Sequence, residues 1–215
     1  MKESSRDFLI ISIGKATHVL LMLASLKLVT YYLAPSVMGQ IYLFTTVYTF
    51  FVYFLVSPVG QYFNRYTHKW ESQSVLYHRF LLYLFYMIFV SILSSLGAVL
   101  VYLVDDALDV SLLFFSLLTG GFVLIVSANQ IIVHLFNMLN YRLFFSMLTF
   151  MTSFLALCFS LGFIFVVDRT ATSWLQGILI GNAVVLVVAF FIMRRILLAN
   201  EKRFNILLDF GFLNR

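Results

Sequence analysis

The chain has 215 residues, of which 62% are hydrophobic and only 11% are charged. A soluble domain carries roughly a quarter charged residues, so this composition excludes an ordinary water-soluble protein. The net charge of +5 does not indicate a nucleic-acid-binding surface, because the basic residues flank apolar stretches instead of forming one soluble patch. The single cysteine, Cys158, excludes an intrachain disulfide framework.

Six apolar stretches are each long enough to cross a bilayer, whose hydrocarbon core needs about 20 helical residues. The sequence therefore predicts an all-α polytopic membrane protein, a bundle of six transmembrane helices. The spans are placed near residues 8–34, 38–63, 80–104, 111–136, 143–167 and 173–198. The first is too long for the apolar part of a cleavable signal peptide, so we interpret it as a mature span.

The breaks between spans follow turn chemistry and charge. Pro35 ends the first span, since a proline cannot extend a helix without losing a hydrogen bond. A polar stretch over 65–79 separates the second span from the third, and an acidic loop over 105–109 follows the third. Thr172 or Ser173 is available to cap the sixth span.

The basic residues predict the orientation. With the N-terminus in the cytoplasm, eleven lysines and arginines fall on the cytoplasmic side and only Arg169 on the other. The positive-inside rule then predicts a protein of the cytoplasmic (inner) membrane with both termini in the cytoplasm. The tail over 201–215 has apolar residues at helical spacing, which predicts a helix lying in the cytoplasmic interface, with a frayed terminus as the alternative.

Polar side chains within the spans indicate where function is expected, because a lysine near a helix centre costs about 2.5–3.5 kcal/mol on insertion. In the first span, Lys15 and His18 lie on one helical face. This face is expected to border protein or a water-filled cavity. The alternative is that Lys15 extends to the cytoplasmic headgroups.

Two further groups of polar residues are candidates for substrate binding. The fourth span carries Asn129, Gln130 and His134, whose uncharged donors and acceptors suit a hydroxyl-rich ligand. Hydrogen bonding between helices, worth about 0.6 kcal/mol per contact, is the alternative. In the second span, Gln61 and Arg65 share a face, and a guanidinium near the interface is suited to a lipid phosphate.

Small residues predict where helices approach closely. Gly177 and Gly181 form a GxxxG pair in the sixth span, for which contact within the bundle is favoured over a dimer seam. Asn182, beside them, is interpreted as an amide that holds helices together. Pro58–Gly60 and Gly120–Gly121 are candidate bend points.

The sequence does not predict an enzyme. No carboxylate lies within a predicted span, and the four histidines lack cysteine or carboxylate neighbours at metal-ligand spacing. Phosphate-cradling glycine loops are absent too. We therefore expect no catalytic residues, no metal and no cofactor.

Three segments resemble parts of a known transporter family. Leu33–Tyr42 resembles the short first periplasmic turn of polysaccharide flippases in the multidrug/oligosaccharidyl-lipid/polysaccharide exporter superfamily, where a leucine–x–proline stretch precedes a glycine and an aromatic residue. Ser57–Tyr66, with Trp70 beyond it, is similar to the end of their second helix. Gln130–Arg142 is similar to the stretch that closes their fourth helix, and together the segments cover about the first two-thirds of the chain.

The resemblance implies two six-helix lobes that rock around a central cavity, where cationic side chains attract a lipid-linked pyrophosphoryl oligosaccharide. By position, Lys15 and Arg65 would take the cationic role, and the amides of the fourth span would meet sugars. This chain has the helices of one lobe, and residues 201–215 fall where an interlobe linker would run. The second lobe would be a C-terminal half missing from this sequence, a second copy or a partner protein.

The alternative function is a non-transporting six-span subunit or scaffold in contact with membrane lipids. It would assemble through small-residue helix faces such as that of Gly177 and Gly181. The two hypotheses differ in which substitutions matter. Transport depends on Lys15, whereas assembly depends on the glycines.

Overall fold

The computed structural model describes the backbone of residues 2–104 and 111–212, and the side chains of residues 9, 11–103 and 111–198. These residues form helices joined by short turns, so the all-α prediction is confirmed. The helices are α1 (Lys2–Tyr32), α2 (Pro35–Phe51), α3 (Ser57–Ser72), α4 (Leu76–Val104), α5 (Leu112–Met138), α6 (Arg142–Val166) and α7 (Ala171–Phe212). A π-helical segment, Val52–Val56, joins α2 to α3 without a break.

Six helical stretches are long and apolar enough to cross a membrane. They are Ile11–Tyr32, Pro35–Ser72, Leu76–Leu103, Leu112–Met138, Arg142–Val166 and Ala171–Leu198. Large apolar side chains such as Phe85, Phe89 and Leu100 on α4 are exposed on the outside of the bundle. In the absence of lipid this surface would aggregate in water, so the chain is a multi-pass membrane protein with six spans, as predicted.

The expected break over 65–79 is wrong in extent, because most of this polar stretch is helical. α3 continues to Ser72, and only three residues separate it from α4. Ser74 adopts the left-handed conformation (φ 56°), and the N–H of Val75 donates to the carbonyl of Trp70 at 3.0 Å. This is a Schellman turn. Polarity did not break the helix, since lysine, arginine and glutamate are good helix formers.

The same type of turn joins α5 to α6. Asn140 has φ 63°, and its N–H donates to the carbonyl of Asn137 at 3.1 Å. The next N–H, of Tyr141, donates to the carbonyl of Phe136 at 2.8 Å. Asparagine tolerates the left-handed conformation better than most residues, which explains why the short turn predicted after the fourth span is this tight.

α7 begins two residues earlier than the sequence suggested and extends further. The cap is Thr170, whose Oγ1 accepts a hydrogen bond from the N–H of Ser173 at 3.3 Å. The backbone of residues 201–212 continues α7 directly, so this part of the tail is helical. Its placement in the cytoplasmic interface stays a prediction. Residues 213–215 and the acidic loop over 105–109 lie outside the described residues.

The π-helical segment lies just before the predicted bend at Pro58–Gly60. Proline has no N–H, so the carbonyl of Phe54, four residues earlier, cannot receive the usual helical hydrogen bond. The N–H of Ser57 instead donates to the carbonyl of Val52, five residues back. This wider turn lets the helix pass the proline without ending.

The bundle packs most closely between α6 and α7. A Cβ atom built on Gly177 would overlap the backbone of Ser160, and one on Gly181 would overlap the backbone of Ala156. The predicted contact of these glycines within the bundle is therefore confirmed. Gly120 on α5 has the same role toward α4, where Ser91 Oγ donates to its carbonyl at 2.8 Å.

α1 lies at the edge of the bundle. The main apolar core is formed by α3 to α7 with the π-helical segment, and it includes Phe80, Met87, Ile132, Phe136 and Met193. α1 instead packs chiefly on α6, and its C-terminal end contributes to a small apolar cluster with α2, α6 and α7. One side of α1 is therefore available to border a cavity.

Candidate binding cavity

A cavity of about 510 Å³, here called the main cavity, lies among α1, α5, α6 and α7. Its lining residues are Lys15, His18, Val19, Asn129, Gln130, Val133, His134, Phe145, Thr149, Thr152, Ser153 and Asn182. Five of the seven residues predicted to bind substrate thus meet in one place, although they come from two helices far apart in the sequence. The binding of a substrate by them stays a prediction.

His18 joins the α1 wall of the main cavity to α6. Its Nδ1 lies 2.6 Å from Ser153 Oγ, and Ser153 Oγ also donates to the carbonyl of Thr149 at 3.3 Å. The contact of His18 with Ser153 therefore links α1 to α6, and the tautomer of the imidazole decides which of the two atoms donates. One turn earlier, Gly14 lets α1 approach α6 so closely that an added Cβ would lie 2.9 Å from Ser146 Cβ.

Lys15 is the single permanent cation in the lining of the main cavity. Its side chain is exposed, and none of the lining residues is a carboxylate. Among the described side chains, a contact within 4.0 Å of a carboxylate is made by His68, with Glu71 at 3.4 Å on α3, and not by Lys15. The cavity wall therefore carries a lysine without a carboxylate partner among the described side chains, within a helical stretch that is long and apolar enough to cross a membrane.

The floor of the main cavity is a hydrogen-bonded group of amides. Asn129 is 1% exposed, and its Nδ2 donates to Thr152 Oγ1 and to Asn182 Oδ1, both at 3.1 Å. Asn182 Nδ2 in turn donates to the carbonyl of Ile178 at 2.8 Å. Asn129 Oδ1 has no partner among the described residues. Asn182 thus holds helices together, as expected, and also lines the cavity, which was not expected.

A second cavity of about 200 Å³, here called the side cavity, adjoins the main cavity. Both are lined by Gln130 and His134, so these two side chains form the boundary between them. The other residues of the side cavity come from the π-helical segment and from α3, α4 and α5. They are Val52, Val56, Ser57, Gly60, Gln61, Asn64, Tyr83, Ser127 and Ile131.

Arg65 lines neither of these cavities. It borders a third cavity of about 350 Å³ on α3, together with Pro58, Gln61, Tyr62 and Tyr66. Gln61 belongs to this cavity and to the side cavity, so its predicted shared face with Arg65 agrees with the structure. All seven predicted residues therefore line three cavities connected by shared side chains, but the two cations lie in different ones.

Sequence reasoning missed the contribution of α6. Thr149, Thr152 and Ser153 form one wall of the main cavity, and their spacing of three and four residues places them on one helical face. This periodicity was a usable signal. The lining offers one ammonium, amides, imidazoles and hydroxyls. In the described part of the chain, no group of histidine, cysteine, aspartate or glutamate could hold a metal ion.

Comparison with known proteins does not assign this chain to a family. No protein-family model matches the chain, and neither a curated protein nor a solved structure is significantly similar to it. The functional interpretation therefore depends on the residues of the cavities and on the resemblance of short segments described above.

Proposed function

We propose that this chain is one lobe of an exporter that translocates a lipid-linked oligosaccharide, the repeat unit of a polysaccharide, across the cytoplasmic membrane by alternating access. The observation that carries the proposal is Lys15, a lysine without a carboxylate partner among the described side chains, on the wall of a cavity of about 510 Å³ between helices long enough to span a membrane. A charge at this depth is costly unless an opposite charge or water compensates it. The pyrophosphate of a polyprenyl carrier is an anion that would do so.

The other lining residues suit the sugar part of such a substrate. Asn129, Gln130 and Asn182 offer amide donors and acceptors, and Thr149 and Ser153 offer hydroxyls. Neutral groups of this kind bind sugar hydroxyls without attracting a competing charge. Translocation through a polar cavity spares the headgroup from hydrocarbon, where a bare charge is very unfavourable.

A complete transporter needs a second wall opposite this one. In this proposal a second six-helix lobe supplies it, as the C-terminal half of a longer protein, a second copy of the chain or a partner protein. Both termini of this lobe are cytoplasmic, because eleven of the twelve basic residues other than Lys15 and Lys27 then lie on the cytoplasmic side. The exposed apolar side chains contact membrane lipids.

The alternative of a scaffold has lost its main support. It depended on Gly177 and Gly181 being free to contact another protein. Both glycines are packed against the backbone of α6 within the same chain. No observation therefore favours assembly through this face over transport.

The decisive experiment is export by cells that carry the double variant Lys15→Ala, Arg65→Ala. We expect polysaccharide export to be lost while the amount of protein in the membrane, measured by immunoblot, is unchanged. With purified protein, Lys15→Ala alone should weaken binding of a polyprenyl pyrophosphate by about tenfold or more, since a hydrogen bond to a charged group contributes about 1.5–3 kcal/mol.

Lys27→Ala is the matched control, because Lys27 is on the same helix but does not line the main cavity. It should leave export and binding close to those of the unmodified protein. Normal export by the double variant would refute the proposal, as would an equal loss of binding in the control.

A further inference from the structure

The hydroxyl group of Tyr83 is buried without a partner. The side chain is 4% exposed, and its Oη makes no hydrogen bond to any described residue. Tyr86, one turn later on α4, differs, because its Oη donates to the carbonyl of Leu55 at 2.7 Å. The π-helical segment thus accepts a hydrogen bond from Tyr86, whereas the hydroxyl of Tyr83 has no hydrogen bond to a described residue.

The unsatisfied hydroxyl is located at the side cavity. A Cβ built on Gly60 would lie 3.2 Å from Tyr83 Oη, so the hydroxyl lies beside Gly60. Tyr83 lines two cavities: the side cavity, which Gly60 also lines, and an aromatic cavity whose lining includes Phe63 and Trp70 but not Gly60. Gly60 has no side chain that could cover the hydroxyl, and Oη is buried against it at the wall of the side cavity.

A buried hydroxyl without a hydrogen bond costs free energy, and phenylalanine would fill the same volume without that cost. The cost is recovered when a ligand in the cavity donates to Oη or accepts from it. π-Helical turns are also frequent at functional sites. The geometry therefore points to a ligand that satisfies Tyr83.

The rest of the lining defines the chemical class of that ligand. Ser57, Gln61 and Asn64 add neutral donors and acceptors, and no lysine, arginine, aspartate or glutamate lines the side cavity. A lining without lysine, arginine or carboxylate favours hydroxyl and amide groups over phosphate. The volume of about 200 Å³ is below the ~300–1,000 Å³ typical of sites for drug-sized ligands, so it suits one small polar ring.

We infer that the side cavity is a glycan subsite, in which Tyr83 Oη, Gln61 and Asn64 bind the hydroxyls of a single sugar residue. This inference rests on the proposed function. It assigns the pyrophosphate to Lys15 in the main cavity and the sugar to the side cavity, with Gln130 and His134 at the boundary between the two.

The test is the binding of two kinds of probe to the purified chain in lipid nanodiscs. One probe is a polyprenyl pyrophosphate without sugar, and the others are the same carrier linked to a panel of single hexoses and N-acetylhexosamines. We expect at least one glycosylated probe to bind tenfold more tightly than the bare carrier. Tyr83→Phe should reduce this preference to less than threefold and leave the affinity for the bare carrier unchanged.

Tyr86→Phe is the matched control, because Tyr86 loses the same atom but does not line the side cavity. It should retain the preference. Thermal unfolding provides a second measurement: Tyr83→Phe should melt at the same temperature or higher, whereas Tyr86→Phe loses a hydrogen bond and should melt lower. A lower melting temperature for Tyr83→Phe would show that Oη has a structural partner and would overturn the inference.

The remaining outcomes separate the inference from the proposed function. If Tyr83→Phe keeps the full preference, or if the unmodified protein binds glycosylated and bare carriers equally, the glycan subsite is refuted while the proposed function stands. If no probe binds at all, the proposed function fails and the subsite fails with it.

Discussion

One stripe of small side chains on α6 packs tightly against α7 at one end and lines the main cavity at the other. The stripe consists of Thr149, Ser153, Ala156 and Ser160, which lie on one helical face at intervals of four, three and four residues. Toward the end of α6, Ala156 and Ser160 meet Gly177 and Gly181 so closely that no side chain fits between the helices. Toward its start, Thr149 and Ser153 line the main cavity.

The difference arises from the residues opposite the stripe. Glycines on α7 let the two backbones touch, and the seam gains dispersion contacts along its length. Beside Thr149 and Ser153, in contrast, α1 and α5 present His18 and Asn129, whose polar side chains bond to Ser153 and Thr152 of α6. A stripe of small residues therefore permits close packing but does not impose it.

The largest expected effect comes from adding a side chain against Ala156 and Ser160, the closed half of the stripe, where α6 touches α7. Gly177→Leu would drive a side chain into the backbone of Ser160, which cannot rotate away. Overpacking costs about 1–3 kcal/mol where side chains can shift, so against backbone we expect a loss of about 3 kcal/mol or more in unfolding free energy. Denaturant titration in detergent micelles measures it.

Gly162→Leu is the control for that substitution. Gly162 also lies in a membrane-spanning helix, on α6, but nothing is within 4 Å of a Cβ built there. It should be neutral or slightly stabilising, since leucine favours the helix over glycine. Equal unfolding free energies for the two variants would show that the seam is loose and that the two halves of the stripe do not differ.

Much of this arrangement follows from the sequence because membrane helices obey strong local rules. The six spans follow from apolar length, and the shared face of Lys15 with His18 follows from helical periodicity. Periodicity places residues on a face but does not say which faces meet. For this reason the sequence could not predict that Arg65, expected to act with Lys15, lies in a separate cavity on α3.

Two features were missed for physical reasons. Thr149 and Thr152 on α6 attract little notice in a sequence, because threonine in an apolar helix commonly bonds to its own backbone, and both do so here. They also face a cavity, which only the packing of α1 and α5 reveals. The π-helical segment Val52–Val56 is wholly apolar in its side chains except for one tyrosine, so its composition does not differ from that of an α-helix.

An intermediate effect is expected beside Thr149 and Ser153, the open half of the stripe, where Asn129 bonds to the neighbouring Thr152. Asn129→Leu removes the hydrogen bonds to Thr152 and Asn182. At about 0.6 kcal/mol per bond between membrane helices, the loss in unfolding free energy should be about 1 kcal/mol. Gln130→Leu, the next residue on α5, replaces an exposed amide and should change the unfolding free energy by less than half of that. A larger effect for Gln130→Leu would mean that Asn129 does not hold the floor of the cavity.

The smallest effect tests whether α1 is held to the open half by a polar contact. His18 and Ser153 lie 2.6 Å apart, so a double-mutant cycle with His18→Ala and Ser153→Ala should give a coupling energy of about 0.6 kcal/mol. Unfolding free energies of the two single variants and the double variant supply the cycle.

The control cycle pairs Lys15→Met with Ser153→Ala, two residues that line the main cavity without a hydrogen bond between them. It should be additive. If the His18 cycle is additive as well, α1 is positioned by apolar contacts alone, such as those of Val29 with Ile164. The open half of the stripe would then be a gap left by packing, because the side chains around it would hold nothing in place. A measured coupling instead makes the cavity a built feature, in which side chains that line it also fix the helix that carries Lys15.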